Sequence, residues 1–504
     1  MITLRMSMLI ILMASAASSV QGEPRIDYDL DDNGLIEIND LQDLNEIRNN
    51  LNDANILKGE SLYGVGDGCP LDGCNGYELT NDLNFDTNGN NVFDEGDAYW
   101  NEGLGWVPIG FAAYKITIEF NGNGHTLQNL VIRRPGEGFV GLFSRLELAY
   151  LHDFKLTADI VADSNSGGIA GFSWKTTFEN LNVDIAITVD KNGFDCAVNI
   201  CPPDFIGGIV GTSNDSSFEN IVIKAQVTGL GVDYVPGVLG GLAGGLSQGT
   251  VNEVVIKGSV NGSTQIGGLA GYVTGANIES VVAITELSGS SSVGGLIGRA
   301  AGTTFNNILV SGTVNTGIGL SKDAKGGGLI GLADSGVNAT GVISLVALPS
   351  DTQNVHYIGA LMGSVSDTTV SDVYWANDLA LRDYLYGSDH ELGEAQSFNL
   401  TDIQCATDAA GCNGLAFNGF SEKLNSLEQA LWDFGDNEEA PVMVLASGRF
   451  GDKDGNGQVD EWIVNDWPVE EGNGAQARSN DSSSGIGGLF YMVVLLLPIL
   501  FRRR

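Results

Sequence analysis

Carboxylate and carboxamide side chains recur at alternate positions in three short stretches, a spacing suited to a hard cation. Residues 29–40 read DLDDNGLIEIND, placing Asp29, Asp31, Asn33, Gly34, Leu35, Glu37 and Asp40 at positions 1, 3, 5, 6, 7, 9 and 12 of a loop. That is the ligand spacing of an EF-hand-type calcium loop, with the backbone carbonyl of Leu35 as the position-7 ligand. Residues 86–97, DTNGNNVFDEGD, place Asp86, Asn88, Asn90, the Val92 carbonyl, Asp94 and Asp97 in the same register. Asn91 stands where glycine is usual, a tolerable exchange because Asn visits the left-handed region more readily than most residues. A third stretch, DKDGNGQVDEWI at 452–463, supplies Asp452, Asp454, Asn456, the Gln458 carbonyl and Asp460 but ends on Ile463, so it should bind weakly unless Glu461 or Asp466 substitutes. Crowded carboxylates repel one another until a divalent ion bridges them, and calcium accepts many oxygens without strict geometry. The expected role of Ca2+ is to brace the fold, not to catalyse.

Other chemistry is sparse. Six cysteines form three local couples, Cys69 with Cys74, Cys196 with Cys201 and Cys405 with Cys412. An even count reads as disulfides, and the short pairings are expected because a rigid coil keeps distant loops apart. A zinc site is the alternative, but no CxxC occurs and His125, His152, His356 and His390 cluster with nothing in the sequence. HExxH and Cys-His arrangements are missing. Glu179, Glu219, Glu253 and Glu279 recur at the start of successive apolar runs and could form a ladder, although a solvated turn position explains them equally well. Trp174, Phe172 and Phe194 could stack on sugars or fill corners of the fold, and the insert GFDCAVNICPPDF at 193–205 reads as a projecting stapled loop.

The elements that position these residues are announced by a repeated pentad. VGLFS at 140–144 begins a series that continues as GGIAG at 167–171, GGIVG at 207–211, GGLAG at 240–244 and 267–271, GGLIG at 294–298 and 327–331, and GALMG at 359–363. Successive copies start 27, 40, 33, 27, 27, 33 and 32 residues apart, the signature of a solenoid with length changes confined to its loops. After each pentad comes an alternating run such as TFENLNVDIAITV at 177–189 or SFENIVIKAQV at 217–227. Period two puts Leu181, Val183, Ile185 and Ile187 on one face, and Ile221, Ile223 and Ala225 on the matching face of the next unit, so the runs are strands. The pentad glycines are expected where the backbone reaches positive φ or approaches a neighbouring coil. A phosphate-cradling fingerprint occurs once, between strand and helix, and eight copies without helices exclude it. The fold class expected is all-β, a right-handed parallel β-helix with small capping regions at both ends.

The Gly-Gly-Leu-Ile-Gly repeat resembles the GLUG motif of bacterial exported and surface proteins. The resemblance extends to 68–110, to FNGNGHTLQNLVI at 120–132 and to LWDFGDNEEAPVMVL at 431–445, covering most of residues 25 to 445. It implies β-helical coils and says little about activity, since that family is defined by architecture. Asp at position 12 of the first acidic loop resembles dockerin-like loops.

Both ends of the chain read as addresses. Residues 1–22 carry Arg5, an apolar stretch and small residues, as a secretory signal peptide does. SSSGIGGLFYMVVLLLPILFRRR at 482–504 joins a Ser-rich linker, Gly487 and Gly488, an apolar segment and three arginines, which places the body of the protein outside by the positive-inside rule. The tail resembles the Gly-Gly sorting signal of exported gammaproteobacterial proteins. That implies a Gram-negative source, type II secretion, transient inner-membrane anchoring and cleavage by a rhombosortase-type protease, leaving the protein at the cell surface or secreted. A plain periplasm-facing membrane anchor is the alternative.

The formal charge is −39, from 63 acidic against 24 basic side chains, so nucleic acid and anionic lipid would be repelled. The expected order is signal peptide 1–22, N-terminal cap with calcium-type loops 23–110, repeat β-helix 111–376 and C-terminal cap 377–450 with a helix around Glu422 to Leu431. An acidic calcium-like loop and linker at 451–484 and the sorting tail at 485–504 follow. The function expected is that of a non-catalytic, adhesin-like protein that binds an extracellular glycan, the surrounding matrix or a surface protein; a polysaccharide lyase or glycosidase is the competing class.

Overall fold

The computed structural model describes residues 27–50, 74, 76–110, 116–190, 204–229, 237–316, 323–349, 357–380, 395–404, 417, 420, 423–434, 441–451 and 461–464. The signal peptide, the third acidic loop from Asp452 to Asp460, the insert up to Pro203, the cysteines other than Cys74, and the tail with Gly487 and Gly488 lie outside them.

The chain is a right-handed parallel β-helix, as its pentads predict. One coil consists of two short strands and a long one, for example Asn165–Gly167, Ala170–Trp174 and Thr177–Val189. Stacking the coils makes three parallel sheets: two eight-stranded sheets from the short strands and a fourteen-stranded sheet dominated by the long ones. Alternation does the work expected of it, since Leu181, Val183, Ile185 and Ile187 are buried and lie in register with Ile221, Ile223, Ala225 and Val227. Phe178 and Phe218 stack between coils with ring centroids 4.9 Å apart.

Each pentad spans the tight corner between the two short strands, and its glycines answer the second of the two expectations. Their φ angles are not positive; what they lack is room. A Cβ on Gly208 would stand 2.2 Å from the carbonyl oxygen of Gly241, and one on Gly241 would stand 2.3 Å from that of Gly268. Coil follows coil so closely here that the main chains fill the corner.

Positive φ occurs instead in the long strands. Glu179 pairs with Glu219 and Leu181 with Ile221, leaving Asn180 and Asn220 as bulges outside the ladder. Asp153, Asn180, Asn220, Glu253, Ser280 and Asn307 occupy equivalent places, with φ between 51° and 58°. Asn and Asp tolerate this region because a short polar side chain can bond locally. Here they also bond along the column, Asn220 Nδ2 donating to Asn180 Oδ1 and Asn180 Nδ2 to Asp153 Oδ1, each at 2.8 Å.

The long sheet continues through the segment expected to be an N-terminal cap. Leu35–Ile38 pairs with Gly76–Leu79, which pairs with Glu119–Asn121, which pairs with Tyr150–Ala162. A helix, Leu41–Asn50, follows the first acidic loop and buries Leu41, Leu44 and Ile47, whose spacing in the sequence suits one helical face.

The C-terminal segment departs from expectation in place and in content. Asn377–Ala380 and Ala395–Phe398 extend the last coil. A four-stranded antiparallel sheet of Trp432–Asp433, Val442–Leu445, Gly448–Gly451 and Glu461–Val464 follows. Phe417, Phe420, Leu431, Trp432, Met443 and Leu445 from this segment pack with Val255, Val282, Leu309, Ile343 and Tyr374, which share one outward column of the long sheet. The segment therefore flanks the solenoid as well as following it. In the preceding coils the same column holds Val222, Asn182 and Lys155, so the flank lies where the outer face has turned apolar. The helix expected around Glu422 to Leu431 is absent from its described residues, 423–431. Asn425 Oδ1 accepts from the Leu427 and Gln429 amides and Glu428 takes φ 58°, which ties a turn in place of a helix.

Replacing Gly241 with Ala should cost about 1–3 kcal/mol, because the opposing atom is backbone and cannot rotate away. Gly138→Ala, where an added Cβ meets nothing within 4 Å, should stay within about 0.5 kcal/mol. Thermal melts of the two variants compare them directly; equal melting points would show that corner crowding does not limit stability.

Candidate functional site

The first two acidic loops fold alike. In the first, Asp29 Oδ1 accepts from the Asn33 amide at 2.9 Å and Oδ2 from the Gly34 amide at 2.8 Å, while Asn33 Oδ1 accepts from Leu35 at 2.7 Å. In the second, Asp86 Oδ1 accepts from Asn90 at 3.2 Å, Oδ2 from Asn91 at 2.8 Å, and Asn90 Oδ1 accepts from Val92 at 2.7 Å. The third position joins in both, Asp31 Oδ1 and Asn88 Oδ1 each accepting from the amide two residues on. One skeleton of side chain to backbone bonds curls both loops. Asn91 adopts φ 60°, as its place at position 6 requires.

The loops differ in how they close. Asp29, Asp31 and Glu37 bring carboxylate oxygens within 4.8 Å of one another. Asp40 does not join them. The chain leaves the first loop as a strand, Leu35–Ile38, which carries position 12 away, and Asp40 caps the following helix by accepting from the Gln42 and Asp43 amides at 2.8 and 2.9 Å. Glu78, in register with Glu37 on the adjoining strand, lies on the other side of the loop and accepts from Asn33 Nδ2 at 3.2 Å. Burial, together with neighbouring carboxylates, pushes Asp29, Glu37 and Glu78 above the usual carboxylate range. Nothing in the sequence singles out Glu78; only the strand register brings it in.

The second loop does close on position 12. Asp97 is buried, its Oδ1 accepting from the Thr87 amide at 2.9 Å and its Oδ2 from the Asp94 amide at 3.1 Å. Asp94 accepts from both Asn88 Nδ2 and Asn90 Nδ2. Cys74 is disulfide-bonded, and its sulfur lies 3.7 Å from Asp29 Oδ2.

The suspected acidic ladder breaks at one rung. Glu179 and Glu219 are register neighbours, but Asn252 follows them and Glu279 comes next. Glu253 occupies the bulge, is buried, and accepts from the main chain of the flank: the Ser426 amide at one oxygen and the Ala446 amide at the other at 2.8 Å. It is an anchor for the C-terminal segment.

His152 stands on the rung before Glu179 in that column and does not lie alone, contrary to the sequence reading of the histidines. Its ring stacks on Tyr150 at 4.1 Å; Nδ1 meets Asp153 Oδ2 at 2.6 Å and Nε2 meets Glu119 Oε1 at 3.2 Å. Tyr150 in turn donates to Glu179 Oε2 at 2.6 Å. Burial would lower the His152 pKa, but the two carboxylates more than offset this and hold it at about 9. Phe172 and Trp174, which could stack on sugars or fill corners, are half-buried under Arg145 and Lys175, whose charged groups stand 4.7 and 4.9 Å from the ring centroids. Phe194 lies outside the described residues.

No family model matches the chain. One curated protein, halomucin of Haloquadratum walsbyi, is 29% identical over 125 residues, which is 24% of this chain and 1% of halomucin. The chain thus spans a very small part of that relative. Among solved structures, a candidate immunoglobulin A1 protease from Bacteroides ovatus aligns with 67% of this chain and 84% of its own at 12% identity, with a TM-score of 0.34. At that score the likeness says nothing about activity. Among the described residues no helix is long and apolar enough to cross a membrane.

Because the folded pKa of His152 is raised, its contribution is fully present below the unfolded value near 6.5 and is lost as pH rises through about 9. His152→Asn should therefore destabilise the protein by about 2 kcal/mol at pH 6 and by much less at pH 10. Denaturant melts at the two pH values measure this; a cost independent of pH would assign His152 to packing alone.

Proposed function

We propose that this chain is an exported, calcium-braced β-solenoid that binds a partner outside the cell and catalyses no reaction there. The observation that carries the reading is the shared hydrogen-bond skeleton of the loops at 29–40 and 86–97. Two segments separated by strand and helix adopt one loop geometry, and in the first it brings three carboxylates within 4.8 Å of one another. Asp29, Asp31, Asn33 and Glu37, with Glu78 beside them, would hold one ion. Asp86, Asn88, Asn90, Asp94 and Asp97 would hold another once the amides present oxygen. An ion would offset the burial, and the lesser mutual repulsion, that raise Asp29, Glu37 and Glu78. Loops of this kind in extracellular modules work at the high calcium levels found outside cells. Export is further supported by the leader-like 1–22 and by the tail with Gly487 and Gly488, whose resemblance to a rhombosortase-type signal implies release or display at the surface of a Gram-negative cell. The resemblance of the pentads to GLUG repeats points the same way.

Lack of catalysis is supported by the use of Glu253 as an anchor and by the Asn252 rung between Glu219 and Glu279. One observation favours the alternative of a polysaccharide-active enzyme. Glu179 and Glu219 sit on adjacent rungs, Glu179 bonded to Tyr150, and Glu219 raised by partial burial and by the charges of Glu179 and Glu253. Adjacent rungs stand ~4.8 Å apart, near the carboxylate separation of about 5–5.5 Å used by retaining glycosidases.

Calcium at a hundredfold excess over Kd should stabilise each loop by about 2.7 kcal/mol, so chelator should lower the melting temperature. Asp29→Asn and Asp86→Asn should each remove part of that response. A melt indifferent to chelator would overturn the calcium reading. Light-scattering chromatography with microbial and algal polysaccharides separates the two functions: co-elution marks a binder, and a fall in polymer mass marks an enzyme.

A further inference from the structure

The geometry points to a binding groove for a neutral oligosaccharide on the outer face of the long sheet, beside the 86–97 loop. This rests on the reading of the chain as a binding protein and names its site and ligand class. The cavity measures about 410 Å³, within the range of small-ligand sites.

Its floor is built from outward side chains of four successive coils. Val131, Asp159, Ala186 and Gln226 form one column, and Thr157, Asp184 and Lys224 form the next. Four rungs span roughly 14 Å at the usual strand spacing. The wall is the second acidic loop, whose Val92 is 59% exposed and whose half-buried Phe93 lies against Trp100 at 4.6 Å.

Three observations select the ligand. First, both floor carboxylates are already neutralised by bases: Arg133 Nη2 lies 2.5 Å from Asp159 Oδ2, and Lys224 Nζ lies 2.8 Å from Asp184 Oδ2. The floor is locally neutral although the chain carries −39, and held carboxylates beside Thr157 and Gln226 suit paired hydroxyl groups. Second, the net charge of −39 over the whole chain disfavours an anionic polymer. Third, the outward column that turns apolar at Val222 is packed under the flank. Apart from Val131, the floor left open presents small and polar groups, which fit a hydrated ligand better than a protein surface, while Val92 and Phe93 offer an apolar edge for the carbon face of a sugar ring.

Calorimetric titration of the purified protein in calcium with cellohexaose, laminarihexaose and mannohexaose tests this, with an alginate hexamer as the anionic comparison. At least one neutral hexamer should bind and outcompete the anionic one. Phe93→Ala, Asp184→Ala and the exposed Gln226→Ala should each weaken it about tenfold, whereas Asn277→Ala, exposed and away from the groove, should not. Melting in calcium checks that each variant is folded. Absence of binding by every neutral hexamer, tighter binding of the alginate hexamer, or parental affinity in all three groove variants would overturn the groove. The chelator melt involves no sugar, so a protein that retains its calcium response and ignores the sugars sinks the groove alone and leaves the calcium reading standing.

Discussion

Successive coils stand one main-chain hydrogen bond apart, and at the corner between the short strands that distance leaves no space for a Cβ. Gly208 donates its amide to the Gly241 carbonyl at 3.0 Å, and Gly241 donates to Gly268 at 2.8 Å. The ladder through the corner fixes the rise per coil. The stacking of Phe178 on Phe218, the asparagine column of the bulges and the register of the carboxylates all inherit that rise. Buried alternate positions supply the hydrophobic drive, but the corner decides that the coils superpose and do not splay.

On this frame the acidic loops occupy the side where the chain enters the solenoid. The first is gripped between adjoining strands through Glu37 and Glu78; the second hangs over the long sheet and is closed by its own Asp97. Their common hydrogen-bond pattern is local, set by Asp, Asn and Gly at fixed offsets. Their different closures are tertiary, set by whether a strand or a turn follows.

Those two origins explain what could be read in advance. Pentad spacing and alternation were enough for the solenoid and its buried faces, because each is a periodic property. The curl shared by the two loops was legible because it is set by near neighbours. Asp40 was not, since its cap role depends on the strand that intervenes before it. Glu253 was grouped with Glu219 and Glu279, but it stands 13 residues after its pentad begins where they stand 12, which puts it at the bulge, and the amides it meets there are 173 and 193 residues away. The pairing of His152 with Glu119 and the partnership of Glu78 with Asn33 likewise arise only when register is known.

The flank also bears on how this protein can change in evolution. It grips the solenoid at Glu253, through Ser426 and Ala446, and again at Asn307, which accepts from Trp432 Nε1 at 3.4 Å. Two fixed grips a set number of rungs apart act as a gauge of length. Duplicating or deleting a coil between them would move one grip out of reach, so repeat gain and loss, the ordinary route by which solenoids vary, is confined to coils outside that span.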